Sequence, residues 1–295
     1  MNSLFEQLIQ QYDQLKYELL KAQTFDATHF GFSPLYYHIM ESDQQRIGAF
    51  QQAFELHNHL QDGVVCEVGV GTLALTKLYM PYVKKAYWIE SNPHLIPFLE
   101  VAIKENAWQD KVEVYYENAL EVELPEPVDY LIGELMSIYC ANELQVQIFQ
   151  HMRQFLKPEG QLFPHRIINF ARLCTAQFEE GRKHYPINFS RHRPMFLSQQ
   201  GLVNEINLAQ EEGQGMEVTF NIPVHLSGKI NALYLESYVE VTSGANFTGT
   251  DSLMPPTVLK TDNVLPVQAG DKVQVVLKVH YGTSLEEVSC RLMIT

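Results

Sequence analysis

The sequence predicts an α/β domain on a parallel sheet over residues 28–165, followed by an antiparallel β domain, a barrel or a sandwich, over 166–295. Three observations carry this reading. Between residue 43 and about 165, short apolar runs alternate with helical stretches, the pattern of a parallel sheet with helices on its faces. After Pro164 the apolar spacing becomes that of strands, with few helical stretches between them. The change comes without a flexible linker, so the two parts are expected to pack tightly.

The individual elements follow in chain order. Residues 1–27 precede the α/β domain, and 3–20 read as an amphipathic helix. Ser3 with Glu6 makes a capping-box pattern, and Leu4, Leu8, Tyr12, Leu15 and Leu19 recur at helical spacing. VVCEV (64–68) is a buried-strand pattern ending in Gly69. AYWIE (86–90), VEVYY (112–116) and VDYLIGE (128–134) are three more strands, the last ending in an acid. LIPFLEVAIKENA (95–107) and NELQVQIFQHMRQFL (142–156) are helical, and LKPEGQLFP (156–164) reads as a helix end, a turn and a new strand. Beyond it, stretches at 168–178, 217–226, 230–242, 272–281 and 288–294 alternate as strands, with turns at Ser227-Gly228 and Gly270-Asp271.

Composition excludes several classes. A chain of 295 residues with 46% hydrophobic and 19% charged residues is ordinary globular material, not a disordered one. Its net charge of −14 gives no footprint for nucleic acid or an anionic membrane, and favours cationic ligands. Cys66, Cys140, Cys174 and Cys290 show no CxxC pairing, and no histidine cluster has metal spacing, so no metal and no disulfide framework is expected. MNSLFEQLIQQ is not a signal-peptide pattern, and no apolar run approaches membrane-spanning length. A soluble, cytoplasmic protein is the expectation.

EVGVG places Glu67, Gly69 and Gly71 directly after the first strand of the sheet. Ligands of open parallel sheets bind beyond the carboxyl ends of the strands, and glycines there admit close backbone approach. Glu90 ends the next strand, 19 residues after Gly71, where an acid can accept hydrogen bonds from both hydroxyls of a ribose. NAD is the competing ligand, but its fingerprint needs a third glycine where Ala74 stands. A nucleoside without phosphates, such as S-adenosylmethionine, does not need that contact.

GELMSIYCANE (133–143) holds Glu134 and Glu143 in the loop after the fourth strand. Together with HFGF (29–32), MESDQQR (40–46), EVGVG, WIE (88–90) and ENALEVELPEPVDYLIGE (117–134), it resembles the protein arginine methyltransferases. The resemblance covers roughly 28–295, specific in the first two-thirds and diffuse in the β-rich part. It implies a Rossmann-like S-adenosylmethionine-dependent methyltransferase domain followed by a β-barrel. It implies that Gly69 and Gly71 approach the cofactor, Glu90 holds the ribose, Arg46 pairs with the methionine carboxylate, and the backbone at Ala119 and Leu120 lies against adenine. Glu134 and Glu143 would clamp a guanidinium, with Met40 beside the acceptor nitrogens. It further implies a homodimer, formed through a helical arm for which 177–200 is the candidate.

The physics of the acid pair agrees. A guanidinium is planar, permanently charged and carries five donors, so two carboxylates can fork it in a fixed orientation. The departures from the family concern the glycine-rich motif, where Glu67 and Leu73 stand in place of the usual Asp and Gly, and the acceptor pocket. Ser252-Leu253-Met254 stands where the family has a Thr-His-Trp loop, so Leu253 replaces the histidine that pairs with the acid at Asp43, and Met254 replaces an aromatic wall. Asp43 would lose its partner. The acceptor is then an arginine of a protein or peptide, or a small guanidino compound such as free arginine. A different nitrogen or oxygen acceptor, and a non-catalytic binding module of the same fold, are the alternatives.

Overall fold

The structure, a computed structural model, describes residues 40–187, 193–248 and 254–295. The amphipathic stretch 3–20, HFGF (29–32) and Leu253 lie outside them. Helix α1 (Gln44–Leu56) starts at Asp43, whose carboxylate accepts the backbone N–H of Arg46. It buries Ala49, Phe50, Ala53 and Phe54. The ring of Phe54 packs edge-on against Tyr79 and Phe163, while Phe50 reaches Phe247 of the β domain with ring centroids 6.5 Å apart.

Strand β1 (Val64–Val68) follows, fully buried as its unbroken apolar run requires. Then come α2 (Thr76–Tyr79), β2 (Lys85–Ile89), α3 (Ile96–Glu105), β3 (Val112–Tyr115), β4 (Val128–Gly133), α4 (Gln145–Met152) and β5 (Leu156–Phe163). The five strands are parallel in the order β3-β2-β1-β4-β5. The order reverses at β1, between β2 and β4, and a crevice opens at such a switch point beyond the carboxyl ends of the strands. Residues 156–163, read as a helix end and a turn before the strand, are all strand. A register shift opposite Val128 and Tyr130 accommodates the Lys157-Pro158-Glu159-Gly160 segment.

The second half is antiparallel. Its strands are β6 (Arg166–Thr175), β7 (His184–Pro186), β8 (Met195–Phe196), β9 (Gly201–Asn207), β10 (Gly215–Pro223), β11 (Gly228–Thr242), β12 (Ala245–Thr248), β13 (Thr257–Val267), β14 (Lys272–His280) and β15 (Ser289–Ile294). One sheet runs β7-β13-β11-β6-β8, with β12 on β11 and β9 on β6; the other runs β10-β14-β15. Side chains close the seam between β13 and β15: Asn263 exchanges two hydrogen bonds with Leu292, and Asp262 accepts the N–H of Cys290. The result is barrel-like. The described part of 177–200 supplies β7 and β8 on β13 and β6, and contains no helix. Phe178, Tyr185, Ile187 and Phe196 pack there on a small second core of Cys174, Ala176, Ala232, Tyr234 and Val258.

No helix of the described residues is long and apolar enough to cross a membrane. Because Phe50 is fully buried where α1 meets both domains, Phe50→Ala should cost about 3–5 kcal/mol. Denaturant unfolding measures it, and a loss below 1 kcal/mol would show that the two domains do not share this core.

Candidate active site

The residues singled out in the α/β domain gather at one edge of the parallel sheet. Gly69 follows β1, Glu90 follows β2, Ala119 and Leu120 lie after β3, and Glu134 follows β4. A cleft there is lined by Met40, Arg46, Glu67, Gly69, Gly71, Thr72 and Glu134, among others. Gly69 and Gly71 have φ of +71° and +55°, the left-handed region open to glycine at no steric cost. A side chain on Gly69 would also meet Leu135 at 2.8 Å.

Two carboxylates follow from this backbone. Glu90 accepts the N–H groups of Gly71 at 3.0 Å and Asn92 at 2.8 Å. Burial raises its pKa, and the backbone donors pull it back. A carboxylate has about four acceptor positions, so it can still take hydroxyl donors from a ligand. Glu67 lines the cleft, but its Oε2 accepts the hydroxyls of Thr76 and Tyr79, each at 2.6 Å, and Tyr79 in turn accepts the indole N–H of Trp88. Burial lifts Glu67 to about 7 against those two bonds. Its visible role is to tie α2 to the sheet. Ala119 is buried, and the N–H of Leu120 is turned onto the side chain of Asn118.

Arg46 is buried and sits between acids. Its Nη1 donates to Glu134 Oε1 at 2.9 Å, and its Nε lies 3.4 Å from Asp43 Oδ2. Asp43 therefore does not lack a partner, as the replacement of the family's histidine had suggested. Its own helix supplies one, because an N-cap carboxylate lies within reach of the arginine three residues on. Met254 is buried in the main core.

The loop from Glu134 to Glu143 is held from both domains. On the α/β side, Gln145 accepts the N–H of Leu135 at 2.7 Å and donates to the carbonyl of Gly133. On the β side, the Tyr139 hydroxyl donates to the Phe170 carbonyl at 2.8 Å, and its N–H donates to Ser237 Oγ at 3.1 Å. Gly282 N–H donates to the Cys140 carbonyl, and Leu285 N–H to Asn142 Oδ1. Tyr139 and Cys140 both have positive φ, +58° and +53°. Each left-handed non-glycine residue costs about 1–2 kcal/mol, and such residues persist where the surroundings over-determine them.

Burial raises Glu134, and the adjacent Arg46 opposes the shift. Glu143, partly buried, is raised to about 8, by burial first and by the charge of Glu134 second, with Arg46 opposing. Asp43, Glu134 and Glu143 with one arginine make a site that lacks two positive charges when all three are ionised. A cation entering beside Glu134 and Glu143 would supply one of them. Sequence reasoning singled out both acids and Arg46, and the structure pairs Arg46 with Glu134. It missed Gln145 and Tyr139, although a buried-type amide opening the helix after the loop was a signal for the first.

The model of the PRMT5 arginine-N-methyltransferase family matches residues 31–163. The histone-arginine methyltransferase CARMER of Drosophila ananassae is 33% identical over 128 residues, 42% of this chain and 24% of that protein. Its counterpart in Drosophila grimshawi is 32% identical over the same length, so the matched part is about a quarter of these relatives. Among solved structures, a chain of the Trypanosoma brucei PRMT1 enzyme-prozyme heterotetrameric complex with AdoHcy superposes with a TM-score of 0.72 at 15% identity, covering 91% of this chain and 98% of that one. Arabidopsis thaliana protein arginine methyltransferase 10 gives 0.69 at 15% identity, covering 83% and 87%. The family-model match lies within the α/β domain. The structural likeness extends over both domains.

The charge on Glu143 has a consequence for stability. Its folded pKa, about 8, lies above the ordinary carboxylate value of 4.5, so folding favours the protonated form. That stabilisation is complete below about pH 4.5 and lost as pH rises through about 8. Glu143→Gln should therefore melt at a higher temperature than wild type at pH 9, with the gap closing toward pH 5. Scanning calorimetry at the two values measures it; a gap independent of pH would show that Glu143 is not raised.

Proposed function

We propose that this chain is an S-adenosylmethionine-dependent N-methyltransferase acting on the guanidino group of an arginine in a protein or peptide, or of a small guanidino compound. The observation that carries the reading is Arg46 at the cofactor-type cleft, paired with Asp43 and Glu134, with the charges of Glu134 and Arg46 acting on Glu143. The cleft fits the cofactor on its own chemistry: left-handed glycines, the Glu90 carboxylate for hydroxyl donors, and the Arg46 guanidinium for a carboxylate. Ala119 and Leu120 lie at the same edge for the base. Bound there, S-adenosylmethionine supplies an electrophilic methyl group.

The protein's own residues do the rest. Glu134 and Glu143 hold the guanidinium by charge-assisted bonds and fix which nitrogen faces the cleft. Their negative charge draws the guanidinium charge away from the attacking nitrogen. The methylated guanidinium releases one proton, and Glu143, ionised while it holds the cation, is a suitable acceptor. Met40 crowds the same cleft, which favours one methyl group per guanidine.

The test is a methyl-transfer assay with an arginine-glycine peptide and with free arginine, products weighed by mass spectrometry. Charge-assisted bonds are worth about 1.5–3 kcal/mol, so Glu134→Gln and Glu143→Gln should each lower turnover at least tenfold while cofactor affinity changes little. Undiminished turnover in both variants, or no product with any guanidine, would refute the reading.

A homodimer is part of the proposal. Phe98 and Val101 on α3 are 41% and 53% exposed, an apolar face that self-association would cover. Light scattering at micromolar concentration should give twice the chain mass; a fully active monomer would contradict it.

A further inference from the structure

We propose that Ser237, backed by Asn169, is a positioning residue for methyl transfer: from the β domain it fixes the backbone of the loop joining Glu134 to Glu143. The proposal rests on reading those two acids as the acceptor site.

Three polar side chains stand in a row across the seven-stranded sheet. Ser237 of β11 lies directly opposite Asn169 of β6, and Asn169 lies opposite Asn204 of β9. The Ser237 hydroxyl donates to Asn169 Oδ1 at 2.7 Å, and Asn169 Nδ2 donates to Asn204 Oδ1 at 2.9 Å. Ser237 and Asn169 are fully buried. Buried polar groups cost free energy unless they are bonded, and apolar residues would fill such positions at lower cost. Beyond the sheet, the Ser237 oxygen accepts the N–H of Tyr139.

Tyr139 is the place where a small displacement has the largest effect. It lies five residues after Glu134 and four before Glu143. It and Cys140 are left-handed, so the chain reverses there on backbone angles that neither side chain favours. The α/β domain holds the Glu134 end through Gln145. The β domain holds the turn itself, through Ser237, through the Tyr139 hydroxyl on Phe170, and through Gly282. Ser237 thus sets how far Glu143 stands from Glu134 without touching a substrate.

The test uses the full chain without cofactor, labelled with 13C at glutamate carboxyls, and follows their titration by NMR. The Glu143 signal is identified by its loss in Glu143→Gln. Glu134 and Arg46 face Glu143, so its midpoint reports their separation. Ser237→Ala should lower that midpoint by about half a unit or more as the acids part, and lower kcat/KM for an arginyl peptide roughly tenfold. Cofactor affinity should stay within about twofold of wild type. Ser237→Thr keeps the hydroxyl and should keep the wild-type midpoint. A folded Ser237→Ala protein with unchanged midpoint and kcat/KM overturns the proposal. If that variant does not fold, Asn204→Ala at the partly exposed end of the row decides in its place: the midpoint moves down, or the proposal fails. Full activity in Glu134→Gln and Glu143→Gln would instead refute the acceptor-site reading; inactivity in those two with a wild-type Ser237→Ala refutes the positioning role alone.

Discussion

Two carboxylates that must lie close together in a largely buried place constrain the rest of this molecule. Like charges at low dielectric repel, and each also loses its water. One arginine, Arg46, offsets part of that cost for Glu134, and Asp43 fixes Arg46 from the start of α1. Burial and the charge of Glu134 raise Glu143 to about 8 in the empty site. Such a site is unfavourable for the empty protein and suited to a planar cation, whose entry neutralises the pair and replaces the lost hydration. Arg46 also stands at the cofactor-type cleft, so one cation touches both halves of the site.

The two domains divide the task. The parallel sheet brings Gly69, Glu90, Ala119 and Glu134 to one edge simply because each follows a strand's carboxyl end. It does not fix where Glu143 goes, since the eight-residue connection 135–142 has many conformations. The β domain removes that freedom. It bonds Tyr139, Cys140 and Asn142 from three of its own segments, which allows two left-handed residues in succession. The core shared through Phe50, Phe54, Phe163 and Phe247 keeps those supports in register with the sheet.

Much of this was legible in the sequence where one physical signal dominated. VVCEV (64–68) is a strand because an unbroken apolar run between a turn and a glycine suits a strand buried on both faces. Glu134 was readable as an acid at a strand's carboxyl end, and Glu143 through the resemblance of GELMSIYCANE (133–143) to a family loop. What stayed hidden depends on contacts distant in sequence. Nothing in Asp43 shows that it turns back on Arg46, or in Ser237 that its hydroxyl reaches a loop 98 residues earlier. Glu67 reads as one more acid at the cofactor edge, yet Thr76 and Tyr79 claim its carboxylate. The stretch 177–200 has the broken pattern of an insertion, but its described residues add two short strands to the sheet. Sheet edges recruit such segments because their backbone groups otherwise lack partners.

The most direct measurement is a crystal structure of the protein with S-adenosylhomocysteine and an arginyl peptide bound together. The guanidinium is expected between the carboxylates of Glu134 and Glu143, with the Arg46 side chain on the cofactor carboxylate and Tyr139 still bonded to Ser237. A guanidinium bound elsewhere, with Glu134 still paired to Arg46 and Glu143 facing no ligand, would contradict the account.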